Sequence, residues 1–405
     1  MPTWVRLSIG GAATLLVGMG LGRFSYTPLI PALIEDGGLS AAEAGTVAAF
    51  NLAGFLIGAL AAPWLRRRME EAALLRACLW ITLACLVASI APAGAVWLVF
   101  WRGVAGIAMG VMMVYALAVV TRHAPPDRLG AATGIVFTGV GIAILASGVL
   151  VPLLLRSSLV MAWSGLALFG AAGVAVALWG WRAATPAATP PRGRPRSRFR
   201  PSSAAFRLIA AQSMFGIGLI PHSIYWVDYL VRGLGGSMGI GGFHWVLFGL
   251  GAMTGTFLWG RLADWIGHRL GLILVLASLA AGVALPVILP FAWVLVFSSL
   301  VVGAQPGFSA IISGRVHQIV GPEEMPPLWR AMALVGGVAQ VVAGYSLVAL
   351  FEMTGSYVPI FLIGGAAMAV GAAVVVNLKA GGGGGGGPPP PPPPPRGGGG
   401  GGGGG

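Results

Sequence analysis

Two arginines interrupt stretches of sequence that are otherwise apolar. Arg23 and Arg102 each fall inside a run long enough to cross a bilayer, and neither has a carboxylate nearby in sequence. A charge in hydrocarbon is costly, so such an arginine faces a partner or a water-filled cavity, unless its side chain snorkels back to the interface. Both alternatives stay open. A guanidinium holds a carboxylate at two points, so a cavity lined by this pair predicts an anionic, carboxylate-bearing ligand.

Further polar residues lie inside apolar runs, and each is equally suited to bind a ligand or to join two helices. They are Tyr26, Asn51, Tyr115, Tyr225, Gln305 and Gln340. Asp228 is the only carboxylate well inside a run, and Arg232 follows one turn later, which favours an i,i+4 ion pair slightly over a proton-carrying role. His222 and His244 are of the residue type that can switch charge near neutral pH, although a lone histidine in a membrane more often serves as a hydrogen-bonding residue.

No pattern of catalytic or metal-binding residues is found in the sequence. It has no zinc-ligand spacing, no phosphate-binding Gly-Lys loop and no plausible Ser/His/Asp set. Cys78 and Cys85 would lie about 10 Å apart on one helix, which is too far for a disulfide. We therefore predict that the protein is not an enzyme and has no cofactor or metal.

The composition is that of a membrane protein. Hydrophobic residues make up 57% of the 405 residues and charged residues 9%, with a mean hydropathy of +0.88, so polar surface is too scarce to cover a soluble globule. None of the apolar runs carries a charged stripe, so they should cross the bilayer rather than lie on it. Runs of about 20 residues predict spans at 7–31, 41–64, 72–92, 95–121, 131–155, 158–181, 205–231, 241–265, 270–290, 292–315, 327–351 and 356–378.

The basic residues predict the orientation. Of the 24 Lys and Arg, all but Arg23, Arg102, Arg156 and Arg232 fall at the termini or in the even-numbered loops. The positive-inside rule therefore places both termini in the cytoplasm. Loop arginines also explain the net charge of +13 better than a nucleic-acid partner does.

Residues 182–204 form the one long internal break in hydrophobicity. They contain several prolines and alternating arginines from Arg192 to Arg200, which predicts a flexible cytoplasmic linker. Binding of this basic run to anionic lipid headgroups is the alternative. Residues 380–405 hold only Ala380, Gly, Pro and Arg396 and predict a disordered tail.

The linker divides the chain into two six-helix bundles, residues 1–181 and 205–379. Glycines recur between the two parts at a nearly constant offset, for example Gly18 with Gly216 and Gly148 with Gly344. A chance match of one pair is common in a chain with 66 glycines, but the constant offset indicates that the halves are related copies.

Residues 260–269 read Gly-Arg-Leu-Ala-Asp-Trp-Ile-Gly-His-Arg. The pattern Gly-x-Leu-Ala-Asp-x-x-Gly-x-Arg resembles the signature loop of major facilitator superfamily (MFS) transporters, and residues 22–31 and 51–60 resemble the YbfB/YjiJ-type branch. The resemblance implies an all-α integral membrane protein with the MFS fold, in which twelve transmembrane helices form two pseudo-symmetric six-helix bundles. Its ligand site is expected between the bundles, near the midplane.

The resemblance also implies that the loop is a conformational gate, formed by Gly260, Asp264, Gly267 and Arg269. We expect Asp264 to stabilise one closed state by facing the helix end near Arg128. The copy in the first half has Ala62 in place of the aspartate, so only one half should carry this lock.

Together these features predict a secondary active transporter, a monomer in the bacterial inner membrane. It would move a small organic solute, anionic if the two arginines bind it, by alternating access with proton coupling. The alternatives are a proton-driven drug or metabolite efflux pump and a transporter-like membrane sensor. The predicted residues for substrate binding or coupling are Arg23, Tyr26, Asn51, Arg102, Tyr225 and Asp228.

Overall fold

The computed structural model describes residues 1–91, 93–185, 202–376 and 378, and only the main chain of residues 320–326. Within these ranges the regular structure is helical throughout, with no strand. Eleven helices are long and apolar enough to cross a membrane, and one bent pair brings the number to twelve. The prediction of an all-α membrane protein with twelve spans is confirmed.

The first half contains spans 1 to 6. The predicted limits of the spans differ from the observed ones mainly at the helix ends. In span 1, for example, the helix continues beyond the apolar run and includes Arg6 and Glu35. The bounds are Thr3–Glu35, Ala41–Leu65, Glu71–Ala88, Gly94–His123, Pro126–Leu155 and Leu159–Trp181.

The second half contains spans 7 to 12. Their bounds are Ser203–Gly233, Met238–Ile266, His268–Ile288, the bent pair Ala292–Gly303 and Pro306–Ile319, then Pro327–Thr354 and Tyr357–Val376. The last part of span 10 and all of span 11 belong to one helical element, Pro306–Thr354. Most of the predicted linker and all of the predicted tail lie outside the described residues.

Serine residues begin several spans. Ser40 accepts a hydrogen bond from the Glu43 amide at 3.2 Å, and the Glu43 carboxylate accepts one from the Ser40 amide at 2.7 Å, which completes a capping box. Ser158, Ser202 and Ser237 each accept a bond from the amide three residues on. These caps satisfy amide groups that the first turn of a helix leaves free, and they fix where spans 2, 6, 7 and 8 start.

Spans 1 and 7, the first span of each half, are both interrupted. Span 1 changes to a π-helix at Leu16–Leu21 and to a 3-10 helix at Phe24–Leu29, and span 7 has π-helical turns at Pro221–Tyr225 and Tyr229–Gly233. Pro28 and Pro221 lack the amide that a regular helix needs. The interruptions free main-chain carbonyls inside the membrane, and neighbouring spans must then supply donors to them.

The start of span 1 and the end of span 12 lie at the same end of the helices, which we call the terminal side. Arg6 near the start of span 1 donates to the carbonyl of Trp179 near the end of span 6 at 2.8 Å. Arg269 at the start of span 9 likewise donates to the carbonyl of Val376 at the end of span 12. The other end of the bundle is called the far side.

Spans 5 and 8, one from each half, pack tightly on the far side and lose this close contact towards the terminal side. A Cβ atom added to Gly148 of span 5 would lie 2.9 Å from the carbonyl oxygen of Gly242 of span 8, and one added to Gly141 would lie 2.8 Å from the amide of Met253. Gly134 lies on the same helix face one heptad nearer the terminal side, and no atom lies within 4 Å of its added Cβ. The close backbone contact of spans 5 and 8 on the far side is therefore not continued at Gly134.

Candidate functional site

Arg102 is buried inside the first half. Only 2% of it is exposed, and its Nη2 donates to the carbonyl of Arg23 at 2.9 Å. Its guanidinium carbon lies 5.0 Å from the centre of the Tyr26 ring. The Nε atom has no hydrogen-bond partner among the described residues. The sequence left two positions open for this side chain, one in the interior and one at the membrane interface. In the structure the side chain lies in the interior of the bundle.

Arg23 sits at the interruption of span 1, one residue before the 3-10 turn. Its side chain is partly exposed and its guanidinium carbon lies 5.0 Å from the centre of the Phe24 ring. No carboxylate within the described ranges forms a salt bridge with Arg23 or Arg102. Two uncompensated guanidinium groups therefore face one region of the membrane interior.

Asn51 of span 2 holds the interruption in place. Its Nδ2 donates to the carbonyl of Gly22 at 3.1 Å and to the carbonyl of Arg102 at 2.8 Å, so one amide group joins spans 1, 2 and 4. Its Oδ1 is buried and lacks a donor in the described part of the chain. Tyr26 donates to the carbonyl of Ala44 at 3.2 Å, which ties the same turn to span 2 a second time.

These four side chains line a small cavity of about 10 Å³ between the two halves, enough for about one water molecule. Span 7 closes it with Ser223 and Ile224. Thr27 beside the cavity donates to the carbonyl of Ser223 at 2.6 Å. The cavity thus lies where the interrupted spans 1 and 7 meet, and a ligand larger than water needs the halves to move.

The other two predicted site residues, Tyr225 and Asp228, form a separate cluster in the second half. Asp228 is 1% exposed, its carboxylate is 3.3 Å from Arg232 Nη1, and it accepts a hydrogen bond of 2.6 Å from Tyr357. The hydroxyl of Tyr225 is buried and has no partner among the described residues. The structure therefore brings together four of the six predicted residues and places the other two outside the cavity lining.

His222 and His244 lie in the interior of the second half. His222 Nε2 is 2.8 Å from the hydroxyl of Ser298, and His244 Nδ1 is 2.9 Å from the hydroxyl of Ser299. Trp226 Nε1 donates to Ser299 at 3.2 Å. Both histidines thus form hydrogen bonds between spans, which is the role that a lone histidine in a membrane more often has.

The predicted gate lies at the terminal end of span 8. Gly267 ends the helix with φ at 88°, a left-handed conformation that favours glycine, while Gly260 has open space around it. Asp264 is exposed, and Arg128 pairs with its neighbour Asp127 at 3.1 Å instead. Asp264 makes no salt bridge or side-chain hydrogen bond with the start of span 5 within the described residues, and its role stays a prediction.

Sequence reasoning missed several of these contacts. Tyr357, the partner of Asp228, is 129 positions away, and nothing in the sequence links them. Thr27, by contrast, belongs to the segment 22–31 that carries the family resemblance, and a hydroxyl beside a proline in an apolar run was a usable signal. The described residues contain no cluster of three or more His, Cys, Asp or Glu that could hold a metal ion.

Comparison with known proteins identifies the family. Residues 15–376 match the family described as uncharacterised MFS-type transporter YbfB. The chain belongs to this family. A comparison with curated proteins gives no significant match.

The transporter is also similar in fold to two crystal structures of a bacterial homologue of the human lysosomal transporter Spinster, both inward-facing. The occupied form has a TM-score of 0.61 and 20% sequence identity over 92% of this chain and 94% of that chain. The unoccupied form has the same TM-score and coverage with 18% identity. At this identity the likeness shows the fold, and it confirms the MFS architecture expected from the sequence.

Proposed function

We propose that this transporter carries a small carboxylate-bearing solute by alternating access between its halves. The observation that supports the proposal is the pair Arg23 and Arg102, which share a cavity between the halves with no carboxylate partner in the described residues. Uncompensated charge in hydrocarbon costs several kcal/mol or more. An anionic ligand that binds both guanidinium groups would offset this cost. The cavity should therefore bind an anion more tightly than a neutral or cationic solute.

The geometry of the halves supports the alternating-access part. The tight contact of spans 5 and 8 on the far side and their separation on the terminal side fit a state open to the terminal side. If the termini are cytoplasmic in a bacterial inner membrane, as the loop arginines predict, this is the inward-open state. The outward-open state would then need the far-side contacts to break.

We further propose that transport is coupled to protons through Asp228. It is the only Asp or Glu among the buried residues of the described chain, and it bonds to Tyr357 and Arg232. Asp228 lies on span 7 and Tyr357 on span 12, so protonation would weaken a link between span 12 and span 7, which lines the cavity.

The anion selectivity is tested by ligand binding. The full-length protein in detergent is titrated with mono-, di- and tricarboxylates and with their amides as neutral matched controls, and thermal unfolding is followed. We expect at least one carboxylate to raise the melting temperature and its amide not to, because the ligand stabilises only the folded state. Equal shifts by acid and amide would refute the anionic substrate class.

The coupling role is tested with Asp228→Asn, which keeps the size of the side chain and leaves an oxygen to accept the bond from Tyr357. We expect uptake driven by a proton gradient to fall to the level without a gradient, while exchange of internal and external ligand continues. The control is Asp127→Asn, which removes an exposed carboxylate on the terminal side. Gradient-driven uptake by Asp228→Asn at the wild-type rate would contradict the assignment.

Ligand binding without any flux in the wild type would instead favour the sensor alternative.

A further inference from the structure

A second cavity of about 460 Å³ lies on the terminal side of the first half, away from the substrate site. We call it the arginine pocket. It is formed where span 3 begins and spans 4 and 6 end, and its charged lining consists of Arg66, Glu70, Glu71, Arg76 and Arg182. Neither the family description nor the proposed transport route uses these residues.

Some charged residues of the arginine pocket form salt bridges and others do not. Glu71 is bound by two arginines, at 3.2 Å from Arg66 Nε and at 2.8 Å from Arg122 Nη1, so its negative charge is fully used. Arg76 donates its Nε to the carbonyl of Ala72, and Arg182 is exposed; neither is in a salt bridge within the described residues. Glu70 is the only lining carboxylate without an arginine partner in that part of the chain, so the pocket carries an excess of positive charge.

Two arginine–tryptophan pairs place the arginine pocket at headgroup depth. Arg68 lies over the ring of Trp64 at 4.7 Å and Arg6 over the ring of Trp179 at 4.8 Å. These rings are 53% and 40% exposed and lie two residues from Arg66 and Trp181 of the pocket. Exposed tryptophans with a polar end prefer the boundary between hydrocarbon and headgroups. A ligand in the pocket is therefore within reach of lipid headgroups.

The geometry points to a binding site for the phosphate group of an anionic phospholipid in the arginine pocket, held by Arg76 and Arg182. Arginine pairs with phosphate oxygens through two parallel N–H groups, and basic pockets between spans bind anionic headgroups. The sequence that follows the pocket carries Arg192, Arg194, Arg196, Arg198 and Arg200 with no acidic residue before Ser202, which favours an anionic occupant over a segment of this chain. Inorganic phosphate offers the same chemistry, so the test separates the two sources.

The experiment measures thermal unfolding of the full-length protein in detergent with three additions: dioleoyl-phosphatidylglycerol, dioleoyl-phosphatidylcholine and inorganic phosphate. We expect phosphatidylglycerol to raise the melting temperature and the other two to leave it unchanged. In Arg76→Gln with Arg182→Gln the affinity for phosphatidylglycerol should fall about tenfold or more, the loss expected for charge-assisted hydrogen bonds. Glu70→Gln should strengthen the binding, because it removes the unpaired carboxylate.

The matched control is Arg128→Gln with Arg156→Gln, which removes the same charge outside the pocket and should keep the wild-type response. A variant that is unstable without lipid is replaced by Arg76→Lys with Arg182→Lys, which keeps the charge but loses two-point binding and should still bind less tightly than the wild type. Equal protection by inorganic phosphate, or equal loss in the control pair, would overturn the lipid site. Transport is not measured, so failure here leaves the proposed substrate site untouched.

Discussion

At the scale of single residues, the interruption of span 1 accounts for the burial of polar groups beside it. A regular helix would use the carbonyls of Gly22 and Arg23 internally, but the interrupted helix offers them to Asn51 and Arg102. The charge of Arg102 is thus fixed inside the membrane by one hydrogen bond and by the ring of Tyr26, while its Nε stays available. The same contacts that stabilise the fold position the guanidinium of Arg102, where we propose that an anion binds.

We predict that Asn51→Leu destabilises the protein by about 1 to 2 kcal/mol, because two buried carbonyls lose their donor. Unfolding of the protein in mixed detergent micelles measures the effect. Gln340→Leu is the matched control, since its single bond to the carbonyl of Gly216 is 3.5 Å long and contributes little at that length. Equal stability of the two variants would show that Asn51 does not hold spans 1, 2 and 4 together.

At the scale of helices, small residues decide how closely the halves approach. Spans 5 and 8 touch through backbone atoms at Gly148 and Gly242, which larger side chains would prevent. Towards the terminal side, no atom lies within 4 Å of a Cβ added to Gly134 of span 5 or to Gly260 of span 8. In the proposed mechanism, closure of the terminal side and opening of the far side would both move this pair of helices.

We predict that Gly242→Ala weakens the far-side contact, since its Cβ would lie 2.5 Å from the carbonyl oxygen of Gly148. Spin labels on Leu153 and Ile240, both exposed at the far ends of spans 5 and 8, report the separation by pulsed electron resonance. The distance distribution should shift to longer values. Gly134→Ala, which meets no neighbour, should leave it unchanged, and identical distributions for Gly242→Ala and the wild type would contradict the packing interpretation.

Asp264→Asn tests the gate. If the carboxylate stabilises the state closed on the terminal side, its loss should shift the population towards the state open on that side and change the flux, with little loss of expression because the residue is exposed here. Spin labels on Leu129 and Leu258, exposed residues of spans 5 and 8 outside the predicted gate, measure the population. Unchanged flux and unchanged distances would remove Asp264 from the gate.

At the scale of the whole molecule, hydrophobicity was sufficient to predict the twelve spans, because each must cover the membrane thickness with apolar residues. The cavity was only partly predictable. Arg23, Arg102, Tyr26 and Asn51 were identifiable as polar residues inside apolar runs, but the sequence did not show that Asp228 would bond to Tyr357 and lie outside the cavity lining. That arrangement depends on how spans 7 and 12 pack, and helix packing between distant segments leaves no local pattern. The arginine cluster around Glu71 was missed for the same reason, since Arg122 is 51 positions away.

The central claim is that the two arginines between the halves bind the solute that is transported. Uptake of the tightest-binding carboxylate into proteoliposomes tests it most directly, with wild type, Arg23→Ala, Arg102→Ala and, as the control, Arg156→Ala, whose side chain is exposed at the far end of span 5. The account predicts uptake by the wild type and the control, and a loss of about tenfold or more in each of the two site variants. Uptake at the wild-type rate by both Arg23→Ala and Arg102→Ala would contradict it.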